Sequence, residues 1–449
     1  MTRFVKKRNR SNLYAVSLSL LGILMGIAIL GSMLGNGYIL SLQSLPNNYS
    51  LLYVTMPGTL RPPVGEVIDH WFFGNFTVYE VNATRSEAKE LLQGGPTIIS
   101  TYTAQSLVAS IIPLEYPNPN NYPGWNESDE LLTALNYNGM WTGRNVTVAI
   151  IDTGVDYLHP DLNTSITLLV SALGSGVLTW SPEVNGSWSQ ALAFESSFYQ
   201  EYHYYPFMDL NGHGTHVAGI IAMQGVTNPG WHGVAPGAKI IMIKAFHRDG
   251  SASASAILTA LNYVYNHTNM IQILSCSWGA SVSSNGLDPI SLAVDAIASR
   301  GVWVFVAIGN NGNIPGDVDV PAIASGAMAV GAWDTYNNRL AWFSSIGPAP
   351  TGLKPDFIGP GVMIVSAADQ YVEFPQQYMV GKWLVALSGT SMATPAVAGV
   401  AADFIQYWEY WHHSRPTISN FIQYVETNGR RIDYVPDFVT GYGMPLIPS

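Results

Sequence analysis

"NVTVAIIDTGVD", Asn145 to Asp156, is a near-continuous apolar run that ends on an acid, a glycine and a second acid. A half-exposed strand would alternate polar and apolar residues, so this run reads as a strand covered on both faces. Three more runs share that character: "KIIMIKAF", "IQILSCS" and "VWVFVAI". Between them "HVAGIIAM", "ASAILTALNYVYNH" and "PISLAVDAIASRG" carry helical spacing, the last closing on a glycine suited to a C-cap. Strands alternating with helices define an α/β domain built on a parallel sheet. Asp152 then stands at the C-terminal end of a buried strand, the edge of such a sheet where functional sites gather.

Only 11% of the 449 residues are Asp, Glu, Lys or Arg, against roughly 25% in ordinary soluble domains. The 19 basic residues are outnumbered by 30 acidic ones and do not cluster beyond the N-terminus, which argues against a nucleic-acid partner. One cysteine, Cys276, excludes an intrachain disulfide. Residues 1–12 form a basic tail, with Arg3, Lys6, Lys7, Arg8 and Arg10. They precede an uncharged run from Leu13 to Leu34, which as a helix would span roughly 33 Å, about the thickness of a bilayer's hydrocarbon core. The charge asymmetry predicts a cytoplasmic N-terminus and an exported main domain, whether the run is a lasting transmembrane anchor or a cleaved signal.

Residues 48–111 read as a small α+β unit: the strands "LLYVTMP" and "FTVYEVN", the short amphipathic helix "ATRSEAKELLQ", then strand character again in "PTIISTYTAQSLVAS". Residues 112–128, with the Pro- and Asn-rich "PLEYPNPNNYPGWNES", read as an exposed linker. The α/β domain fills 129–449. Within it Ser165 to Pro206 lacks clear alternation and reads as a surface insertion.

Three segments carry candidate chemistry. Asp152 lies in "VAIIDTGVD", His213 among glycines in "NGHGTHVAGII", and Ser391 at the start of the apolar helix "SGTSMATPAVAG". Each alone is an ordinary cap or turn residue. Together they supply a hydroxyl nucleophile, a base to take its proton and a carboxylate to hold that base. Asp, His and Ser in this chain order, each in its own glycine-framed motif, resemble the subtilisin-like serine proteases. "VAIGNNG" adds Asn310 where that family carries its oxyanion asparagine.

The resemblance implies a three-layer sandwich with a mostly parallel central sheet, preceded by a small α+β propeptide-like domain and an N-terminal transmembrane helix. It implies a serine endopeptidase made as an inhibited precursor, acting on polypeptides and first on its own propeptide. The enzyme would be tethered at the cell membrane with its catalytic domain outside, or secreted after propeptide cleavage. Ser277, Trp278 and Gly279 of "SCSWGA" match the family's substrate-pairing strand, and Gly250 and Ser251 of "RDGSASAS" match the loop facing it across the cleft. Ala307, Ile308 and Gly309 would line the pocket for the residue before the scissile bond; that lining shows no carboxylate, so an apolar preference is expected there. No cofactor is required for catalysis. Asp161 in "HPDL" matches a calcium ligand of many relatives, but "QGVTNPGW" lacks the usual ligand pattern, so a structural calcium stays unassigned. Cys276 should face the core, and "GYGMPLI" resembles the family's final strand. The alternative, a catalytically inactive relative serving as a surface binding component, would be expected to have lost one of these residues, and none is lost.

Overall fold

The computed structural model describes residues 48–449 apart from 56–63, 85, 89–90, 92–97, 104–108, 112–116, 128, 175 and 433. The Leu13–Leu34 run lies outside the described residues, among which no helix is long and apolar enough to cross a membrane.

The anticipated runs become strands β6 (Thr147–Asp152), β9 (Lys239–Lys244), β11 (Ile273–Cys276) and β13 (Trp303–Ala307). They form the middle of a nine-stranded sheet with β7 (Ile166–Ser171), β8 (Leu178–Trp180), β14 (Ala327–Asp334), β15 (Arg339–Leu340) and β16 (Phe357–Pro360). All neighbours pair parallel except the edge strands β8 and β15. Alternation along β6 explains why it reads as continuously apolar: Val148 and Ile150 enter one core, Ala149 and Ile151 the other. Helices α3 (His213–Ala222) and α6 (Thr390–His412) cover the first face; α4 (Ala254–Asn266) and α5 (Pro289–Ser299) cover the second. Gly301, with φ +88°, follows α5 as expected of a C-terminal glycine.

Residues 48–111 contribute a four-stranded antiparallel sheet, β1 (Asn48–Thr55), β2 (Glu66–Phe72), β3 (Thr77–Thr84) and β4 (Ile98–Thr103), in the order β2-β3-β1-β4. One face, with Leu51, Val81 and Ala83, packs on Ala88 and Leu91. The other, with Leu52, Val54 and Val78, joins the core around α4 and α5. Trp71 Nε1 donates to Thr259 Oγ1 at 3.0 Å, and Asn262 Nδ2 to the Phe72 carbonyl at 2.8 Å, which fixes the unit on α4.

Three readings are corrected. The segment Ser165–Pro206 is not merely a surface insertion: β7 lies in the central sheet beside β9, and helix α2 (Trp188–Tyr202) buries Glu195. The linker is not exposed throughout, since Tyr122 and Trp125 are buried in the main core and the Tyr378 hydroxyl bonds the Pro117 carbonyl at 3.2 Å. "GYGMPLI" forms no strand; a single bridge joins Met444 to Arg430.

Candidate active site

Asp152 ends β6, wholly buried, and its Oδ1 lies 2.8 Å from His213 Nδ1. The same oxygen accepts the Thr153 amide at 2.8 Å, so the carboxylate cannot turn away from the ring. His213 opens α3, and the helix comes this close only because of the next residue. A Cβ on Gly214 would stand 2.1 Å from the Gly154 carbonyl and 3.1 Å from Asp152 Oδ1.

Asp209, which the sequence reading passed over, ties the approach to α3. Its Oδ1 accepts the Asn211 and Gly212 amides, both at 2.9 Å, while Oδ2 accepts the Thr215 amide at 2.9 Å and hydroxyl at 2.8 Å. An acid four residues ahead of His213 was the available signal. Behind it Lys244 Nζ donates to the carbonyls of Thr153 and Met208. Burial pushes this ammonium's pKa down, opposed by the nearby carboxylates of Asp209 and Glu195. Glu195 accepts the amides of Phe207 at 2.6 Å and Met208 at 2.9 Å and the Tyr157 hydroxyl at 2.5 Å, so the inserted helix braces the loop that carries Asp209.

Ser391 is the second residue of α6, and its hydroxyl donates to the Ser277 carbonyl at 3.0 Å. His213 Nε2 has no hydrogen-bond partner in this arrangement. Asn310, just beyond β13, accepts at Oδ1 from the Thr390 amide at 3.0 Å and hydroxyl at 2.9 Å. Those two donors fix Nδ2 as the donor end, 3.2 Å from where a Cβ on Gly389 would lie. The structure thus gathers Asp152, His213, Asn310 and Ser391 at the C-terminal edge of the sheet.

The cleft beside them is marked by backbone pairing. β5 (Ala109–Ile111) runs antiparallel between β10 (Ser251–Ala252) and β12 (Trp278–Gly279), with Ser110 opposite both Ser251 and Gly279, and Ile111 opposite Trp278. The two segments matched to substrate-pairing strands therefore flank an extended strand of this chain. Cys276, wholly buried, faces the core as anticipated, and burial raises its thiol pKa. Ala307 and Ile308 are buried and Gly309 adopts φ +123°, but the apolar lining is incomplete. Asp319 sets a carboxylate beside Gly309, at 2.8 Å from where its Cβ would lie, so the reading that this wall lacks a carboxylate does not hold.

Asp161 does not offer a cation site. Its Oδ1 accepts the amides of Val226 and, at 3.0 Å, Thr227, and its Oδ2 accepts the Thr227 hydroxyl. Both oxygens are turned toward donors, the wrong polarity around a metal ion. No group of three or more His, Cys, Asp or Glu among the described residues is placed to hold one.

The buried Asp152–His213 pair and the start of α6 with Ser391 both lie at the C-terminal edge of a parallel sheet covered by helices on both faces, where functional groups gather in such folds. Residues 143–443 match the Subtilase family, and the chain belongs to that family. It is 34% identical over 284 residues to Serine protease AprX of Bacillus subtilis (strain 168), covering 59% of this chain and 58% of that protein. It is 37% identical over 261 residues to M-protease of Shouchella clausii (strain KSM-K16), covering 58% of this chain and 54% of that protein. With Subtilisin Savinase of Lederbergia lenta the identity is 35% over 287 residues, covering 64% of this chain and 85% of that protein. The chain thus spans little more than half the length of the first two.

Proposed function

We propose that the protein is a serine endopeptidase that cleaves peptide bonds through an acyl-enzyme formed on Ser391. The observation that carries this reading is the buried Asp152–His213 pair, 2.8 Å apart, which leaves His213 Nε2 without a hydrogen-bond partner and able to take the Ser391 proton. Asp152 holds the tautomer protonated at Nδ1, which leaves Nε2 as the acceptor for the serine proton. In the state described Ser391 donates to Ser277 instead, so a rotation about its Cα–Cβ bond must precede attack. The hydroxyl oxygen then attacks the substrate carbonyl while its proton passes to Nε2. Asn310 Nδ2 and the amides at the start of α6 stabilise the oxyanion. His213 returns the proton to the leaving amine, and water completes the second half-reaction. The site works without a metal at Asp161.

The N-terminal unit serves as an inhibitory propeptide. Its strand β5 pairs with both walls of the cleft as an extended substrate would. Export proceeds through Leu13–Leu34, as a membrane anchor or a signal, leaving the catalytic domain outside. A fluorophosphonate probe tests the reading directly: wild-type protein should be labelled on Ser391 and should hydrolyse casein, and Ser391→Ala should do neither. Casein hydrolysis undiminished in Ser391→Ala would overturn it.

A further inference from the structure

The pocket for the substrate residue before the scissile bond can be located from backbone alone. Ile111 of the strand in the cleft pairs with Trp278, and the position before Trp278 is Ser277, whose carbonyl meets the Ser391 hydroxyl. A peptide running in that register brings the residue opposite Ser277 to the nucleophile. Its side chain enters the space between the Ser277–Gly279 backbone and the end of β13. Gly279 and Gly309 stand on these two walls, and neither position accepts a side chain. A Cβ on Gly279 would lie 2.9 Å from Asp319 Cβ and 3.1 Å from its Oδ2; one on Gly309 would lie 2.8 Å from that Oδ2.

Asp319 therefore spans the far end of the space from one wall to the other. Its amide donates to the Ile308 carbonyl at 3.0 Å, and the next residue, Val320, exchanges backbone bonds with Ala280 at 2.8 and 3.0 Å, so both walls hold it. Asn311 Nδ2 donates to Oδ1 at 2.9 Å, whereas Oδ2 accepts from no described residue. The charged group bearing on it is a second carboxylate, Asp317, which also accepts from Asn311, at 3.3 Å. Four ion pairs occur among the described residues, and none includes Asp317 or Asp319. A carboxylate only 5% exposed, with a second acid beside it and no cation, is an unbalanced charge.

We propose that Asp319 makes this pocket selective for lysine or arginine immediately before the scissile bond. The inference rests on the proteolytic reading above. The alkyl stem of such a residue would lie along Ala307 and Ile308 while its cationic head meets Oδ2 in a charge-assisted hydrogen bond. An apolar residue of the same length leaves the carboxylate desolvated and unpaired. The chain's own strand in the cleft supplies no such cation, because no Lys or Arg occurs between Lys89 and Arg144. Self-cleavage between Ile111 and Asn126 must therefore follow a disfavoured residue and be slow, a single intramolecular turnover on a strand already docked in the cleft, which prolongs inhibition.

Burial, with a smaller push from Asp317, holds the Asp319 carboxyl up to about 6, opposed by the Asn311 hydrogen bond. The preference should therefore be charged above that pH and fade below it.

The test compares two peptides differing only in Lys or Leu before the cleaved bond, using purified protein at pH 8 and pH 5. Because both peptides meet the same catalytic residues, any pH effect on those residues cancels in the ratio of their kcat/KM values. Wild-type protein is expected to favour the lysine peptide by roughly 10- to 100-fold at pH 8, with the ratio falling at pH 5. Asp319→Asn should lower the pH 8 ratio at least about tenfold and remove its pH dependence, while Asp319→Glu, which keeps the charge, should retain both. Fluorophosphonate labelling of Ser391 verifies that each variant is folded. A ratio favouring leucine, flat with pH and unmoved by Asp319→Asn in labelled protein, would overturn the role of Asp319 and leave the protease reading intact. Hydrolysis of neither peptide, with no labelling, would overturn both.

Discussion

Ser277 and Ser391 exchange hydrogen bonds across the cleft: Ser391 Oγ donates to the Ser277 carbonyl at 3.0 Å, and Ser277 Oγ donates to the Ser391 carbonyl at 2.9 Å. The second bond answers a defect inside α6. Pro395 lies four residues after Ser391, beyond the first turn, and has no N–H to give to that carbonyl. Ser277, between β11 and β12, replaces the missing donor, so the proline ties α6 to the segment that pairs with β5.

Ser277→Ala should accordingly leave a buried carbonyl unpaired and destabilise the fold by about 1–3 kcal/mol. Restoring a backbone donor by adding Pro395→Ala should recover part of that loss, which urea unfolding of the single and double variants would measure. If the two substitutions simply added, the carbonyl of Ser391 would not be what links them.

Asn310→Ala should lower kcat by roughly 10²- to 10³-fold, the loss known for one oxyanion-hole donor of a subtilisin, with little change in KM. The side chain is held at Oδ1 by Thr390 and faces charge that exists mainly in the transition state. Steady-state kinetics on one peptide decide the matter, and an unchanged kcat would remove Asn310 from the mechanism.

Stability should respond to pH through Asp369. Burial and the neighbouring carboxylates of Asp209 and Asp156 raise its pKa to about 8, against about 3.9 in the unfolded chain. Between those values the folded state holds a proton that the unfolded state has lost. The stabilisation is complete below about pH 4 and disappears as pH rises through about 8. His216 acts oppositely: burial lowers it to about 3, so its contribution is lost as pH falls below about 6.5. Asp369 should thus contribute a gain of about 1 kcal/mol per unit on going from pH 8 to pH 6.5, read in urea titrations as the difference between wild-type protein and Asp369→Asn. Parallel curves for the two proteins over that range would contradict this assignment.

The central strands, their helices and the three motif residues were legible because each carries a local signature, an apolar run or a glycine-framed polar residue. What escaped depends on where the chain returns. Asp319 lies ten residues beyond Gly309 in a stretch that reads only as turn, and nothing local shows that it folds back between Gly279 and Gly309. Glu195 sits on a helix with little amphipathic contrast, so its burial against Phe207 and Met208 has no periodic trace. Tyr122 and Trp125 were hidden by the prolines and asparagines around them, which suggest solvent although the aromatic rings enter the core. Strand β7 was lost among polar neighbours, since its apolar residues matter only once β9 is beside it.

The N-terminal unit is held by two separable contacts, and separating them tests its role. Strand β5 lies in the cleft, while Trp71 and Phe72 fasten the sheet to α4 at Thr259 and Asn262. Trp71 is only 4% exposed, so Trp71→Ala removes both a buried ring and the bond to Thr259 without touching any residue of the cleft. Truncating such a ring costs about 3–5 kcal/mol, part of it in docking, so the cleaved unit should dissociate sooner and activity appear with a shorter lag. In wild-type protein the active form should begin between about Ile111 and Asn126 by N-terminal sequencing, with full-length precursor in the membrane fraction. Ser391→Ala should stay full length. An active species that still begins before Leu13, with the same lag in Trp71→Ala, would mean that residues 48–111 are a permanent part of the enzyme and not its inhibitor.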